Sequence, residues 1–497
     1  MSKYYRSLTV VGVLLLLGAC GGSGSDNEAP AAATVSVAAN DGAGTQPAAG
    51  AASAAAATPP SGSAAEVEAV AGNGASGSGT IPTVPLAPPV PDSPAPPAAI
   101  AKMYINTQGG AEVVDKEEYL SATVRIESEV AAERIVVATE IRGRGNATWG
   151  FPKKPYRLKL GKATSILGMP AEKDWALLAN YVDKTLARNK LAMTLGTRMG
   201  MAWTSRSRFV ELYMNDEYRG VYEVFEHVKT GKDRVNVESL DRKVDVDPQT
   251  ITGGWLLEVD KRKGEEVCWD TALKVTLCVK SPGLELADVE TTGNPSAVQL
   301  AYIKGYVGNA ERALQDMSTE QWRTYFDVPA LIDWYLVNEL MRNYDARLVS
   351  SVYLHKRRDG PLVFGPLWDF DIAGQFEYDD AEKPTGWWVR GSQWHQRMFA
   401  RSSFRADVFQ RWCALKRDNT IGGISATIDG IAATIGPEPV ARNFQRWPVL
   451  GVAMTPFFNT RETTYQGEID YLKHWLDQRV AWIDGEYNAE FGACPAP

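Results

Sequence analysis

Cysteine and histidine are scarce in this 497-residue chain, with five of the first and four of the second. The histidines (His227, His355, His395, His474) stand singly, and no cysteines show metal-site spacing, which argues against a zinc centre. Positive charge is also short. A formal net charge of −8 argues against nucleic acid as a partner, since that function asks for a basic surface. The P-loop and dinucleotide-binding glycine spacings are missing, and no repeat of solenoid or propeller period runs through the chain. The apolar run at residues 8–17 is too short to cross a bilayer as a permanent helix.

What is present begins at the N-terminus. Lys3 and Arg6 precede the apolar run, which ends in Leu17-Gly18-Ala19-Cys20. This is the layout of an export signal, and its last four residues resemble the bacterial lipobox, in which the cysteine is lipidated. The expectation is a lipoprotein signal peptide over residues 1–20 and membrane attachment through Cys20. The folded part then stands outside the cytoplasm, on the bacterial cell envelope. Residues 21–98 are Ala, Gly, Ser and Pro with almost no large apolar side chain, a composition that cannot offset its ordering entropy. They read as a disordered tether, stiffened toward polyproline II at residues 82–97. An extracytoplasmic setting permits disulfides among Cys268, Cys278, Cys413 and Cys494. Cys268 and Cys278 flank a hairpin-like stretch and favour each other. Cys413 is then left to tie the last helical region to the tail at Cys494.

From residue 99 the pattern changes. "KMYIN", "ATVRIES", "RIVVATEIRGRG", "PYRLKL" and "DWALLAN" alternate as strands do, and "RFVELYMNDEYRGVYEVFEHV" is two strands around a turn. A helix fits residues 183–199, with Asp183 as cap and Leu186, Leu191 and Leu195 on one stripe. After Pro295 helical periods take over, interrupted by "SSVYLHKRRDGPLVFGPLWDFDI". The expected class is α+β, β-rich over about residues 99–290 and helix-rich over about 291–490. Two lobes with a cleft between them is one economical packing. An aromatic content of 10%, with 15 Trp, is ample for a large core or for sugar-stacking surfaces.

Two constellations carry chemistry. "LWDFDI" read as a strand sends Asp369 and Asp371 to one face and Trp368, Phe370 and Ile372 to the other. Adjacent carboxylates repel unless a cation, a guanidinium or a shared proton lies between them. Asn343 and Asp345 follow a helix end, and the hairpin after them returns the chain at Asp369 and Asp371. Together they describe an oxygen-ligand site suited to magnesium; the bland alternative has these acids capping helices or pairing with Arg347, Arg357 and Arg358. The other constellation is "RGRGNATWGFPKKPYRLKL", which gathers Arg142, Arg144, Lys153, Lys154, Arg157 and Lys159 around a glycine-containing turn. Free backbone N–H groups with flanking cations suit a polyphosphate, although basic hairpins are commonly solvated surface. Arg188, taken alone, reads as decoration on its helix.

These segments, with "LLANYVDKTLARNKLAMTLGTRMG", "GGWLLEVD" and "NYDARLVSSVYLHKRRDGPLVFGPLWDFD", resemble the CotH kinase family in content and order over about residues 100–375. The resemblance implies a divergent, two-lobed protein-kinase-like fold that binds ATP and Mg2+ between its lobes and moves phosphate to Ser or Thr of a protein. By position, Asp345 resembles the catalytic-loop acid. Asp369, with Asp371, resembles the metal-binding acid, and Asn343 a second metal or loop-fixing group. Lys154, Lys159, Arg144 and Asn146 would address phosphates, Arg188 lies on the helix that supplies a pairing partner, and Glu226 would lie near the adenine. Neither "HRD" nor "DFG" occurs, and Asp371 stands where the second motif has glycine. The other reading is a surface-anchored binding or adhesion module that keeps the scaffold without catalysis.

Overall fold

The period-2 stretches of the first half become seven strands. In chain order these are β1 (Ala101–Thr107), β2 (Leu120–Glu127), β3 (Ile135–Gly143), β4 (Tyr156–Thr164) and β5 (Glu172–Leu178), then, after helix α1 (Arg188–Arg198), β6 (Ser207–Met214) and β7 (Glu217–Glu226). Along β1 buried Met103 and Ile105 alternate with exposed Lys102 and Asn106, so the strand has one apolar face. The strands pair antiparallel in the order β1–β2–β3–β4–β5–β7–β6, and the sheet closes because β1 lies parallel to β6, with Ala101 opposite Val210 and Ile105 opposite Met214. Closure leaves no free edge. Ile105, Val124, Ile141, Leu158, Trp175 and Leu212 fill the barrel.

The computed structural model describes residues 99–238, 240, 247–262, 267–281, 295–454, 458 and 462–495. The expected signal segment with Cys20 and the tether at 21–98 lie outside the described residues.

A second sheet, ordered β12–β11–β8–β10–β9, joins β8 (Trp255–Val259), β9 (Cys268–Asp270) and β10 (Thr276–Ser281) to the later hairpin of β11 (Val352–Lys356) and β12 (Leu362–Phe364). The helices of the second half are α2 (Ala297–Gln315), α3 (Val328–Leu340), α4 (Gln393–Phe399), α5 (Ser402–Arg417), α6 (Ile424–Ile435), α7 (Pro437–Arg446), which lies against β7 of the barrel, and α8 (Tyr465–Phe491). Side chains cap several of the helix starts. Ser296 and Gln299 form a capping box at α2, and Asp327 accepts from Ala330 N at α3, just before a proline in the first turn. Ala176, Phe209, Val221 and Phe225, on the outside of the barrel, join Leu191, Leu195, Trp255 and Leu340 in one continuous core. That core welds the barrel to the helical half. Disulfides join Cys268 to Cys278 and Cys413 to Cys494.

The class is α+β as expected, but the β-rich half is a closed barrel, and the topology by itself does not display a kinase-like pair of lobes. Two local expectations are corrected. Residues 366–375 form no strand: β12 stops at Phe364 and a turn occupies 371–375. The first helix starts at Arg188 rather than beside Asp183, because Leu186 adopts a left-handed backbone (φ 57°) that no helix can run through.

Candidate active site

The acids are gathered by two loops that leave and re-enter the second sheet. After α3 the chain passes buried Asn343 into a single 3-10 turn, Tyr344–Arg347, which carries Asp345. It then enters β11, returns along β12 and delivers Asp369 and Asp371. Arg342, Leu348, Ser351 and Asp369 all have positive φ, between 49° and 65°. Such conformations are disfavoured for residues other than glycine and persist only where their surroundings hold them. Here Ser351 Oγ donates to Asp369 Oδ2 (3.0 Å), and Val349 N donates to Asp345 O (3.1 Å). The segment before and within α1 clasps the acid loop from the other side. Phe370 N donates to Asn189 Oδ1 (2.8 Å), Arg188 Nε to Ala373 O (2.9 Å), and Gln375 Nε2 to Val182 O (3.4 Å).

The carboxylates share one electrostatic field. Burial, and then Asp369, push Asp345 up to about 7, against the Ser350 hydroxyl and Arg262, which pull it down. Burial, then Asp369, Asp183 and Asp345, push Asp371 well above the usual carboxylate range, with Arg144 opposing them. Carboxyl groups raised by one another in a partly enclosed space mark a place where positive charge is wanted.

Arg144 supplies part of it from the barrel. Gly143 ends β3 where a Cβ would sit 2.5 Å from Asp115 O and from the Trp149 ring, and Gly145 has φ 85°, so the turn needs both glycines. Between them Arg144 N donates to Pro155 O (3.2 Å), which closes the loop at its neck. The guanidinium extends over the Trp368 ring (5.4 Å), where burial lowers it and Asp369 and Asp371 raise it. Phe225, His227 and Tyr353 also meet Trp368, at 5.4, 5.9 and 6.3 Å. His227 is held well below its ordinary value, first by burial and then by Arg157 and Arg144.

Other expected site residues are placed elsewhere. Lys154 Nζ donates to Trp149 O (2.6 Å) and braces its own loop. Asn146 is exposed at the loop tip and makes no side-chain cap. Lys159 lies on β4 in register between Glu140 and Asp174. Arg188 is 1% exposed, and its Nη1 donates to Asp183 Oδ1 (2.5 Å), so it is an internal brace and not surface decoration. Glu226 is fully buried, taking Arg206 Nε (2.9 Å) and Arg234 Nη1 (2.5 Å), and its N–H donates to Arg206 O, which leaves it structural and not adenine-facing. Asp183, Asn189 and Ser351 went unread as site residues, since in sequence they are a helix cap, an ordinary helix residue and a loop serine. A separate pocket of about 230 Å³, lined by Lys190, Thr194, Arg198, Phe209 and Thr427 among others, contains none of these acids.

Among the described residues no group of three or more His, Cys, Asp or Glu is placed to hold a metal ion. The expected three-carboxylate cage is therefore not preformed, because Asp369 and Asp371 do not alternate on a strand. The donors are nevertheless hard oxygens, and the buried Asn343 Oδ1 has no hydrogen-bond partner among the described residues. This fits magnesium, which is commonly bound by one or two carboxylates and completed by phosphate oxygens and water.

Comparison with curated proteins returned no match. The family model described as CotH kinase protein matches residues 141–483, a span that runs from the end of β3 through the acid loops into α8 and covers well over half of the chain. The chain belongs to the CotH kinase family.

Proposed function

We propose that this protein is an atypical kinase that transfers the γ-phosphate of ATP, with Mg2+, to a Ser or Thr hydroxyl of a surface or secreted protein. The observation that carries the reading is the meeting of Asp345, Asp369 and Asp371, from loops of the second sheet, with Arg144 from the barrel. In functional terms the barrel and the helical half serve as the two lobes of a kinase. Asp345 takes the proton of the acceptor hydroxyl. A carboxyl near 7 is matched to that role at neutral pH. Asp369, fixed by Ser351, and Asn343 Oδ1 would hold the metal, which supplies charge neutralisation for the triphosphate when bound. Arg144 binds phosphate oxygens on the side away from Asp345, and Trp368 with Phe225 walls off water. The lipobox and tether belong to the same proposal, as the means by which Cys20 holds the domain at the cell envelope.

The test uses the full-length protein. Millimolar ATP with Mg2+ is expected to raise its melting temperature, and γ-phosphate is expected to enter protein Ser or Thr. Asp369→Ala is expected to lose both effects while still melting cooperatively. A wild type with no nucleotide-dependent shift would point instead to a binding or adhesion module built on the same scaffold.

A further inference from the structure

β8 and β11 run side by side with Val259 opposite Val352. Just beyond that pair, the turn leaving β8 lies against the loop that carries Asp345. Lys261 N donates to Val349 O (3.2 Å), and the N–H of the same Val349 donates to Asp345 O (3.1 Å). In this turn Arg262 is clamped on Asp260. Its Nε donates to Oδ1 (2.8 Å), its Nη2 to Oδ2 (3.1 Å) and its backbone N to Oδ1 (2.9 Å). Asp260 is held from behind, with its N–H donating to Thr276 O (3.1 Å) and the Cys278 sulfur 3.8 Å from its carbonyl oxygen. The disulfide to Cys268 therefore backs the turn.

An exposed Asp–Arg pair two residues apart contributes little to stability. This pair differs because the backbone that carries it is fixed, at Asp260 N on Thr276 O and at Lys261 N on Val349 O. The guanidinium gives one edge to Asp260, while among the described residues its Nη1 has no acceptor, and the side chain is 46% exposed. Arg262 directly follows Lys261, whose N–H holds this turn to the loop of Asp345. A planar fork with one edge anchored and one edge open is suited to a phosphoryl group.

We propose that Arg262 is a further phosphate-binding residue, its open edge meeting the phosphoryl group as it passes to the hydroxyl at Asp345, with Asp260 as the positioning residue. The inference rests on the phosphotransfer reading above. In the step, the acceptor oxygen forms a bond to the γ-phosphorus. The bond from that phosphorus to the β,γ-bridging oxygen breaks, its electron pair leaves on the diphosphate, and the acceptor proton passes to Asp345. Charge on the phosphoryl oxygens during transfer is thus met by Arg144 from the barrel and Arg262 from the second sheet.

Arg262→Gln, Arg262→Lys and Asp260→Asn in the full-length protein test this. The ATP-induced thermal shift and the KM for ATP are expected to stay within about twofold of wild type, while kcat for γ-phosphate transfer falls about 10²-fold in Arg262→Gln. Arg262→Lys should recover part of the loss, since it keeps the charge and loses the fork. Asp260→Asn should lower kcat without moving KM. If the wild type transfers phosphate and Arg262→Gln matches its kcat, this inference fails while the kinase reading stands. If the wild type neither binds nor transfers, the kinase reading fails and takes this one with it. Should Arg262→Gln not fold, the same kcat comparison on Arg262→Lys and Asp260→Asn decides, and wild-type kcat in both overturns the proposal.

Discussion

Lys153 and Lys154 are neighbours in the sequence and opposites in the structure. Lys154 stays at the loop surface, whereas Lys153 is 1% exposed and donates to Val221 O (2.6 Å) and Asn443 Oδ1 (2.9 Å). Burial alone lowers its amine from 10.5 to about 7. Between those values the unfolded chain binds a proton that the native state does not, so this group makes stability rise with pH across that window. Its penalty is complete below pH 7 and amounts to a few kcal/mol, roughly. Lys153→Met is expected to flatten the difference between melting temperatures at pH 7 and pH 9.5, measured by calorimetry against wild type. An unchanged slope would show that the amine stays charged in the fold. The basic turn was legible in sequence as six cations, of which the resemblance put Lys154, Lys159 and Arg144 forward for phosphates. Which one reaches the acids depends on the neck bond from Arg144 to Pro155 and on Asn443, which is remote in sequence, and neither is local information.

At the scale of elements, period-2 patterning placed every barrel strand, because each has one face in the core. The same rule misread "LWDFDI". Its apolar residues are buried by Phe225, Tyr353 and Asn189 around an irregular loop, and alternation over so short a stretch cannot separate strand from turn. The acids still converge, through the hairpin that was legible and the left-handed Asp369 that was not. The start of α1 was misplaced for a related reason, since Asp183 looks like a cap and acts as the partner of Arg188 and Thr185. Disulfides act at this scale too. Cys413–Cys494 closes 81 residues and Cys268–Cys278 closes 10. Chain entropy assigns them about 4.5 and 2.7 kcal/mol respectively. Replacing Cys413 and Cys494 by alanine is thus expected to lower unfolding free energy in urea by more than replacing Cys268 and Cys278. The reverse order would mean that local geometry beside Asp260 outweighs loop length.

For the whole molecule, the sequence carried the class and the order of its halves, and it concealed the closure. β1 meets β6 in parallel across about a hundred residues, a pairing that no short-range pattern announces. Nor does anything local show that α7 straps the barrel to the helical half. Arg442 pairs with Glu211, Asn443 Oδ1 accepts from Val221 N (3.0 Å), and Trp447 Nε1 donates to Arg219 O (2.8 Å). With barrel and helices held together at this strap and through the shared core, the acids and Arg144 face each other in a fixed frame, as the proposed transfer, which needs mainly positioning, requires. The most direct measurement of that account is a crystal structure of the full-length protein with a non-hydrolysable ATP analogue and Mg2+. The account predicts the triphosphate between Arg144 and Asp369, with a cation bridging it to Asp369. An analogue bound elsewhere, or absent at millimolar concentration, would contradict it.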